Sequence, residues 1–191
     1  MSNHFTSLHH SKIQQGVSLK ADMERALVSR SSPATEVMTD LQHAMAYTIS
    51  PTASITDADN KMILCGVRLL FVTDGDNVLS GLITSTDILG ERSLNYLREH
   101  GGDRNDIIVQ EIMTGRDHIE AISYPEVVRA SVGDIVATLH DAGRQHVLVV
   151  DNDSVRGLFS ATDVARRIGE SVQVETRART FAELEAALVA H

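Results

Sequence analysis

The chain has 191 residues, of which 42% are hydrophobic and 23% are charged, and its net charge is −9. These values are ordinary for a globular protein with a hydrophobic core, and the acidic balance offers no basic surface for nucleic acid. The single cysteine, Cys65, excludes an internal disulfide, and no apolar run approaches the ~20 residues that span a membrane.

Residues 1–33 form a leader with little patterning. The leader lacks the basic and apolar regions of a secretory signal peptide, which favours a cytoplasmic protein without a membrane partner. Within the leader, residues 20–30 favour a short helix that packs on the rest of the chain. His4, His9 and His10 offer too few ligands for a metal site, so no metal is expected.

Two stretches of the chain carry the same landmarks in the same order, offset by 75 to 77 positions. The matched segments are Glu36–Thr39 and Glu111–Thr114, Ser54–Asp57 and Ser131–Asp134, Gly66 and Gly143, Leu70–Asp74 and Val147–Asp151, and Gly81–Asp87 and Gly157–Asp163. The chain therefore contains two copies of one supersecondary unit, since such a series does not arise by chance. The first copy, with its linker, covers residues 34–107 and the second covers residues 108–170.

Each copy predicts a short strand, a helix, a strand, a turn, a strand and a last helix. The first helix is expected to begin after a serine N-cap with an aspartate three residues later, and to end at a left-handed glycine. These residues are Ser54, Asp57 and Gly66 in the first copy, and Ser131, Asp134 and Gly143 in the second. The apolar run that follows predicts a strand buried on both faces. The last helix is expected to begin near Thr86 or Thr162, with that threonine as its cap.

Residues 171–191 predict a C-terminal amphipathic helix. Phe181, Leu184 and Leu188 recur at helical spacing along one side of it. Such a helix could cover the chain's own surface or meet another subunit.

Taken together, these motifs resemble a tandem pair of cystathionine-β-synthase-type (CBS) domains, also called a Bateman module, over residues 34–170. The resemblance is carried by Val37-Met38-Thr39 and Ile112-Met113-Thr114, Ser50-Pro51-Thr52-Ala53-Ser54, the strands ending in Asp74 and Asp151, and a closing Gly-x-x-Thr/Ser-x-x-Asp motif in each copy. It implies an α+β fold in which two pseudo-symmetric β-α-β-β-α units pack sheet to sheet. The second copy departs from the pattern, because it has no proline before its first helix and carries two extra residues after Thr114.

The resemblance also implies clefts between the units that bind an adenosine-containing ligand, such as AMP, ADP, ATP or S-adenosylmethionine, with no cofactor required. In that pattern the closing hydroxyl and aspartate reach the sugar and first phosphate, and groups on the strands surround the base. Carried over position by position, the expected residues are Thr84, Thr86 and Asp87 in one site, Ser160, Thr162 and Asp163 in the other, and Ile49, Leu69, Val128 and His146 in the base pockets.

Two interpretations of the closing motifs stay open at this point, because the same residue types also commonly cap helices. A ligand sensor would use the motifs, whereas a structural dimerisation or protein-interaction module would leave the pockets unused. An enzyme is not expected, since the chain has no nucleophile elbow, phosphate-binding loop or His-Glu-x-x-His motif. We therefore expect a stand-alone regulatory module that forms a homodimer and acts on a separate effector protein.

Overall fold

The computed structural model describes residues 7–13, 15–18 and 28–172. Its strands are β1 (Thr39–Asp40), β2 (Thr48–Ile49), β3 (Leu69–Thr73), β4 (Leu79–Thr84), β5 (Thr114–Gly115), β6 (Ala121–Ser123), β7 (His146–Asp151) and β8 (Ser154–Ser160). Its α-helices are α1 (Ile55–Cys65), α2 (Ser85–Leu89), α3 (Glu91–His100), α4 (Val109–Ile112), α5 (Tyr124–Val127), α6 (Val132–Ala142) and α7 (Ala161–Ile168). Short 3-10 helices lie at Ala34–Glu36, Arg104–Asp106 and Arg116–His118. Within these ranges, no helix has the length and apolar character needed to cross a membrane.

The strands form two four-stranded sheets in which the short leading strand of each copy has changed places. The first sheet has the order β2-β3-β4-β5 and the second has the order β1-β8-β7-β6. Strand β1 belongs to the first copy yet pairs antiparallel with β8, with Thr39 opposite Leu158. Strand β5 in turn pairs antiparallel with β4, with Thr114 opposite Leu82. Each copy therefore supplies one edge strand to the other copy's sheet.

The hydrophobic cores follow the sheets rather than the sequence copies. We call the β2-β3-β4-β5 sheet with its helices α1–α4 unit one, and the β1-β8-β7-β6 sheet with α5–α7 and residues 34–38 unit two. The core of unit one includes Ile107, Val109 and Ile112, which precede the second copy's leading strand. The core of unit two includes Ala34 and Val37 from the start of the first copy. Both crossing segments are buried, so the two units are joined through their interiors as well as through the chain.

The two sheets also pack face to face, as the fold class predicted. Leu69, Phe71 and Leu82 of unit one form a buried cluster with Leu148 and Leu158 of unit two. The α+β fold of two related units is therefore confirmed.

Local sequence signals position the first helix of each copy as expected. The Ser54 hydroxyl accepts a hydrogen bond from the Asp57 amide at 3.0 Å, and Ser131 caps α6 in the same way. Gly66 and Gly143 end these helices at φ 65° and 60°, in the left-handed region. Because the caps are local, the sequence alone specifies where α1 and α6 begin and end.

Residues 28–33 of the leader join unit two. Val28 packs against the core of that unit, and Arg30 forms an ion pair with Glu170 at 2.9 Å. The amide of Ala34 donates to the carbonyl of Ala130 at 2.9 Å. Most of the helix expected over residues 20–30, and all of the Phe181–Leu188 stripe, lie outside the described residues.

We predict that Gly81→Ala and Gly157→Ala each destabilise the fold by about 1–3 kcal/mol, because overpacking displaces neighbouring backbone. A Cβ at Gly81 would lie 2.6 Å from the Thr114 carbonyl oxygen, and one at Gly157 would lie 2.6 Å from that of Thr39. Both contacts are with the exchanged strands, so chemical denaturation of the variants measures how tightly these strands are held. Gly75→Ala is the matched control, since its Cβ would meet nothing within 4 Å. Wild-type stability in both core variants would contradict the close packing of the exchanged strands.

Candidate ligand-binding clefts

Two clefts lie where the two units meet. The large cleft has a volume of about 550 Å³ and is lined by Met45, Tyr47, Val67, Arg68, Ser160, Thr162 and Asp163, among others. The small cleft has a volume of about 160 Å³ and is lined by Thr86, Asp87, Arg92, Glu120 and Arg144, among others. Each cleft combines the closing motif of one copy with the helix-to-strand corner of the other. This corner joins the first helix of a copy to the strand that follows it, at residues 66–68 in the first copy and 143–145 in the second.

The polar end of the large cleft is formed by the closing motif of the second copy. Ser160 is the residue before α7, and it makes no side-chain capping hydrogen bond. Asp163 lies in the first turn of α7 and is paired with Arg166 at 2.7 Å, with both side chains partly exposed. A hydroxyl and an accessible carboxylate thus face the cleft beside a helix N-terminus, which is a favourable place for a ligand's hydroxyls and phosphate.

The closing motif of the first copy is instead already hydrogen-bonded within the protein. The Thr84 amide and hydroxyl both donate to Oδ2 of Asp87, at 2.8 and 2.7 Å, while the Thr84 hydroxyl accepts from the Asp87 amide. The other carboxylate oxygen, Oδ1, is 3.2 Å from the Arg92 guanidinium. Arg92 also donates to the Ile112 carbonyl and the Thr114 hydroxyl, near and on the exchanged strand β5. Here the capping interpretation is correct, because Thr84 and Asp87 form a capping box.

The threonines expected as caps of the last helices have a different position. Thr84, rather than Thr86, is the N-cap of α2, and Ser160, rather than Thr162, precedes α7. The expectation that Thr86 and Thr162 are caps was therefore wrong, because each helix begins one residue after the strand ends. Both threonines instead lie in the first turn with exposed side chains that line the large cleft.

The apolar end of the large cleft has a charged counterpart in the small cleft. Tyr47 and Glu120 are structurally equivalent, since their carbonyls accept from the amides of Phe71 and Leu148 at 2.9 and 3.4 Å in the two parallel strand pairs. Val67 follows the terminal glycine of α1, where the equivalent position after α6 is Arg144. An aromatic ring and a valine thus line one corner, and a carboxylate and a guanidinium line the other.

Of the four residues expected in the base pockets, two line the clefts and two do not. Leu69 and His146 occupy equivalent positions at the start of β3 and β7, and both line both clefts. Ile49 is buried in the core of unit one and lines neither cleft. Val128 is an exposed residue at the end of α5, also away from both. The register partner equivalent to Ile49 is Ile122. Nine positions separate Ile122 from Ser131, against five between Ile49 and Ser54, and this longer segment contains α5 and Val128.

Sequence reasoning missed Met45, Tyr47 and Val67. Tyr47 and Val67 flank predicted elements, and the 77-residue offset already pairs Val67 with Arg144. That pairing was the available signal that the two sites differ. Met45 lies in the longer loop between β1 and β2, for which no local pattern predicts a role.

The walls shared by both clefts include one titratable side chain, His146. Burial lowers the pKa of its imidazole, and Arg68 acts in the same direction, while the carboxylates of Asp163 and Asp87 oppose them. Because the net pKa lies below the usual value of 6.5, the free protein holds this imidazole mainly neutral at pH 7. Within residues 7–13, 15–18 and 28–172, no group of three or more His, Cys, Asp or Glu side chains is arranged to hold a metal ion.

Comparisons with known proteins agree with this architecture. Residues 34–93 match the model of the CBS domain family. The chain is similar to an uncharacterized conserved protein from Pyrococcus horikoshii, with 20% identity over 80% of this chain and 98% of that one and a TM-score of 0.55. No curated protein matches the sequence significantly.

Two further solved structures are similar over the same region. CBSX2 from Arabidopsis thaliana, in its complex with AMP, has 20% identity, covers 71% of this chain and 94% of its own, and has a TM-score of 0.52. A protein with CBS domains from Burkholderia ambifaria has 21% identity, covers 72% of this chain and 88% of its own, and has a TM-score of 0.51. At these identities the likeness establishes the fold.

We predict that Thr84→Ala costs about 1 kcal/mol of stability in the ligand-free protein, the usual loss on removing an N-cap. Ser160→Ala is the matched variant at the equivalent position, and it should cost much less because Ser160 makes no side-chain capping bond. Thermal or urea unfolding of the two variants measures the difference. Equal losses would contradict the different use of the two motifs.

Proposed function

We propose, from the match of residues 34–93 to the CBS domain model and the fold shared with CBS-pair structures, that the protein is a regulatory module that binds one adenosine-containing ligand in its large cleft. AMP represents the ligand class, in which ADP, ATP and S-adenosylmethionine share the adenosine group. The module acts by binding rather than by catalysis. Its ligand changes the relative orientation of the two units or their association, and an effector protein responds.

The single observation that carries this proposal is the chemical polarity of the large cleft. One end presents Met45, Tyr47 and Val67, and the other presents Ser160 and Asp163. A planar base is suited to the aromatic and apolar end, because stacking and burial stabilise it there. The volume of about 550 Å³ is also within the range typical of small-molecule sites.

The polar end can recognise the rest of the ligand. The Asp163 carboxylate can accept hydrogen bonds from two ribose hydroxyls, since an ionised carboxylate is an acceptor only. A phosphate next to the sugar would meet the N-terminus of α7 and the Thr162 hydroxyl, where backbone amides favour an anion. Arg166 is paired with Asp163 across an exposed edge and can turn toward the phosphate as the ribose takes its place.

The small cleft is less suited to the same ligand. Its volume is about 160 Å³, and Asp87 already has both carboxylate oxygens occupied. Glu120 and Arg144 replace the apolar corner that would hold a base. We therefore assign one ligand to each chain.

Signalling follows from where the large cleft lies. Tyr47 and Val67 belong to unit one, whereas Ser160 and Asp163 belong to unit two, so a ligand contacts both units at once. A ligand can shift the equilibrium between two orientations only if it binds one of them more tightly. A ligand that bridges the units meets that condition. The AMP complex of CBSX2, which has the same fold, supports the choice of AMP as the first ligand to test.

The binding test compares two aspartates that are equivalent in sequence. We predict that AMP at a hundred times its Kd stabilises the wild-type protein by about 2.7 kcal/mol in a thermal-shift measurement. Asp163→Asn should weaken AMP binding roughly 10- to 100-fold, the loss expected when charge-assisted hydrogen bonds are removed. Asp87→Asn is the matched control and should weaken AMP binding far less than Asp163→Asn, although it lowers the melting temperature by breaking the capping box.

Calorimetric titration completes the test by counting sites. One AMP for each chain is expected. Loss of binding in Asp87→Asn but not in Asp163→Asn would place the ligand in the small cleft. A folded protein that binds none of AMP, ADP, ATP or S-adenosylmethionine would overturn the sensor proposal.

A second candidate function, a dimerisation module, is favoured by an exposed apolar surface on unit one. Ile63 and Leu64 on α1 are 73% and 87% exposed, and Leu89 at the end of α2 is 62% exposed. The equivalents of the α1 residues on α6 are His140 and Asp141, which are polar. A second copy of the chain that packs through α1 and α2 of unit one would bury these apolar side chains.

We predict that Leu64→Glu converts a dimer to monomers, because it places a charge in the centre of this apolar surface. Light scattering coupled to size-exclusion chromatography measures the mass directly. Asp141→Lys, the charged substitution at the equivalent position of unit two, is the control and should leave the mass unchanged. A wild-type monomer at all concentrations, or a dimer that only Asp141→Lys disrupts, would contradict this arrangement.

A further inference from the structure

The imidazole of His146 has no chemical counterpart at the equivalent position of unit one. The equivalent residue of unit one is Leu69, and both side chains line both clefts. The two clefts therefore share a wall that is apolar on one side and carries an imidazole on the other. His146 is the first residue of β7 and is directly opposite Ser160 on β8, so it lies beside the polar end of the large cleft.

Charged groups surround this imidazole from several elements. Asp163 on α7 and Asp87 on α2 favour its protonated form, while burial and the guanidinium of Arg68, just before β3, oppose protonation. The other titratable or cationic side chains that line the same clefts are Tyr47, Arg92, His118, Glu120, Arg144 and Arg166. With burial dominant, the imidazole remains mainly neutral until further negative charge enters the cleft.

We propose that His146 is the residue with which the large cleft recognises the phosphate charge of its ligand, by taking up a proton from solvent as the phosphate binds. The inference rests on the proposed function and adds the group that distinguishes a nucleotide from an unphosphorylated nucleoside. No covalent bond changes in this step. One imidazole nitrogen gains a proton, and the resulting imidazolium offsets the incoming phosphate charge.

The direction of the pH dependence follows from this linkage. A nearby phosphate raises the pKa of the imidazole in the complex above its lowered value in the free protein. Between those two values the complex holds more protons than the free protein, so affinity for the nucleotide increases as the pH falls. Adenosine brings no charge, and its affinity should not change with the protonation of His146.

The experiment measures the Kd of AMP and of adenosine by calorimetry at pH 6.5, 7.25 and 8.0. This range stays above the second pKa of a phosphate monoester, which is about 6. We expect wild-type AMP affinity to increase about threefold or more from pH 8.0 to 6.5, with adenosine affinity constant. Titrations at one pH in buffers with different ionisation enthalpies should show net proton uptake with AMP and none with adenosine.

Two variants isolate the histidine from the titration of the phosphate itself. His146→Leu installs the residue that unit one has at this position, and His146→Gln keeps a polar side chain if the first variant folds poorly. Both should still bind adenosine and AMP but lose the proton uptake and the pH dependence of AMP affinity. His140→Gln is the control, since His140 is exposed on α6 and should leave both unchanged.

The outcomes separate this inference from the function on which it rests. AMP binding with the same pH dependence and proton uptake in wild type and His146→Leu would overturn the role of His146 and leave the sensor function intact. No binding of AMP or adenosine to the wild-type protein at any of the three pH values would overturn both.

Discussion

The exchange of the two leading strands is the constraint on which the rest of the structure depends. Strand β1 completes the sheet of unit two and β5 completes the sheet of unit one. The apolar residues beside each strand, Val37 and Ile112, are buried in the core of the unit that they join. A unit of about sixty residues buries too little surface to be very stable alone. Neither unit of this chain has its full core without the other copy's segment, so the two are expected to fold cooperatively.

The same exchange determines how the clefts are built. Because each sheet faces the other, the closing motif of one copy meets the helix-to-strand corner of the other copy, and two crosswise clefts result. The backbone frame is nearly symmetric, as the matched caps and the left-handed Gly66 and Gly143 show. The two clefts therefore differ most clearly in the side chains at equivalent positions. Tyr47 against Glu120, and Val67 against Arg144, are the substitutions that give the large cleft an apolar corner and the small cleft a charged one.

The sequence predicted what depends on neighbours along the chain. The serine caps, the terminal glycines and the buried strands follow from local hydrogen bonding and apolar periodicity, and they are where the pattern placed them. The exchanged strands are two residues long and pair with partners more than thirty residues away, so no local pattern could reveal them. Val128, which was expected in a base pocket, lies away from both clefts for a similar reason. The segment between β6 and α6 that contains α5 is longer than its equivalent in the first copy, and only the strand register identifies Ile122 as the equivalent of Ile49.

The two closing motifs show why a motif by itself does not define a site. Thr84 and Asp87 have a hydroxyl and a carboxylate at the same spacing as Ser160 and Asp163, yet the first pair is consumed by helix α2 and by Arg92. Helix α7 has no side-chain capping bond from Ser160, and its carboxylate has an exposed arginine as its ion-pair partner. A partly buried carboxylate whose oxygens are both bonded, such as that of Asp87, must lose those bonds before it can accept a ligand's hydroxyls, and that loss opposes binding. The exposed pair loses little, because a solvated ion pair contributes only about 0–1 kcal/mol. Duplication thus leaves one motif to stabilise the fold as a capping box and the other without a side-chain capping bond.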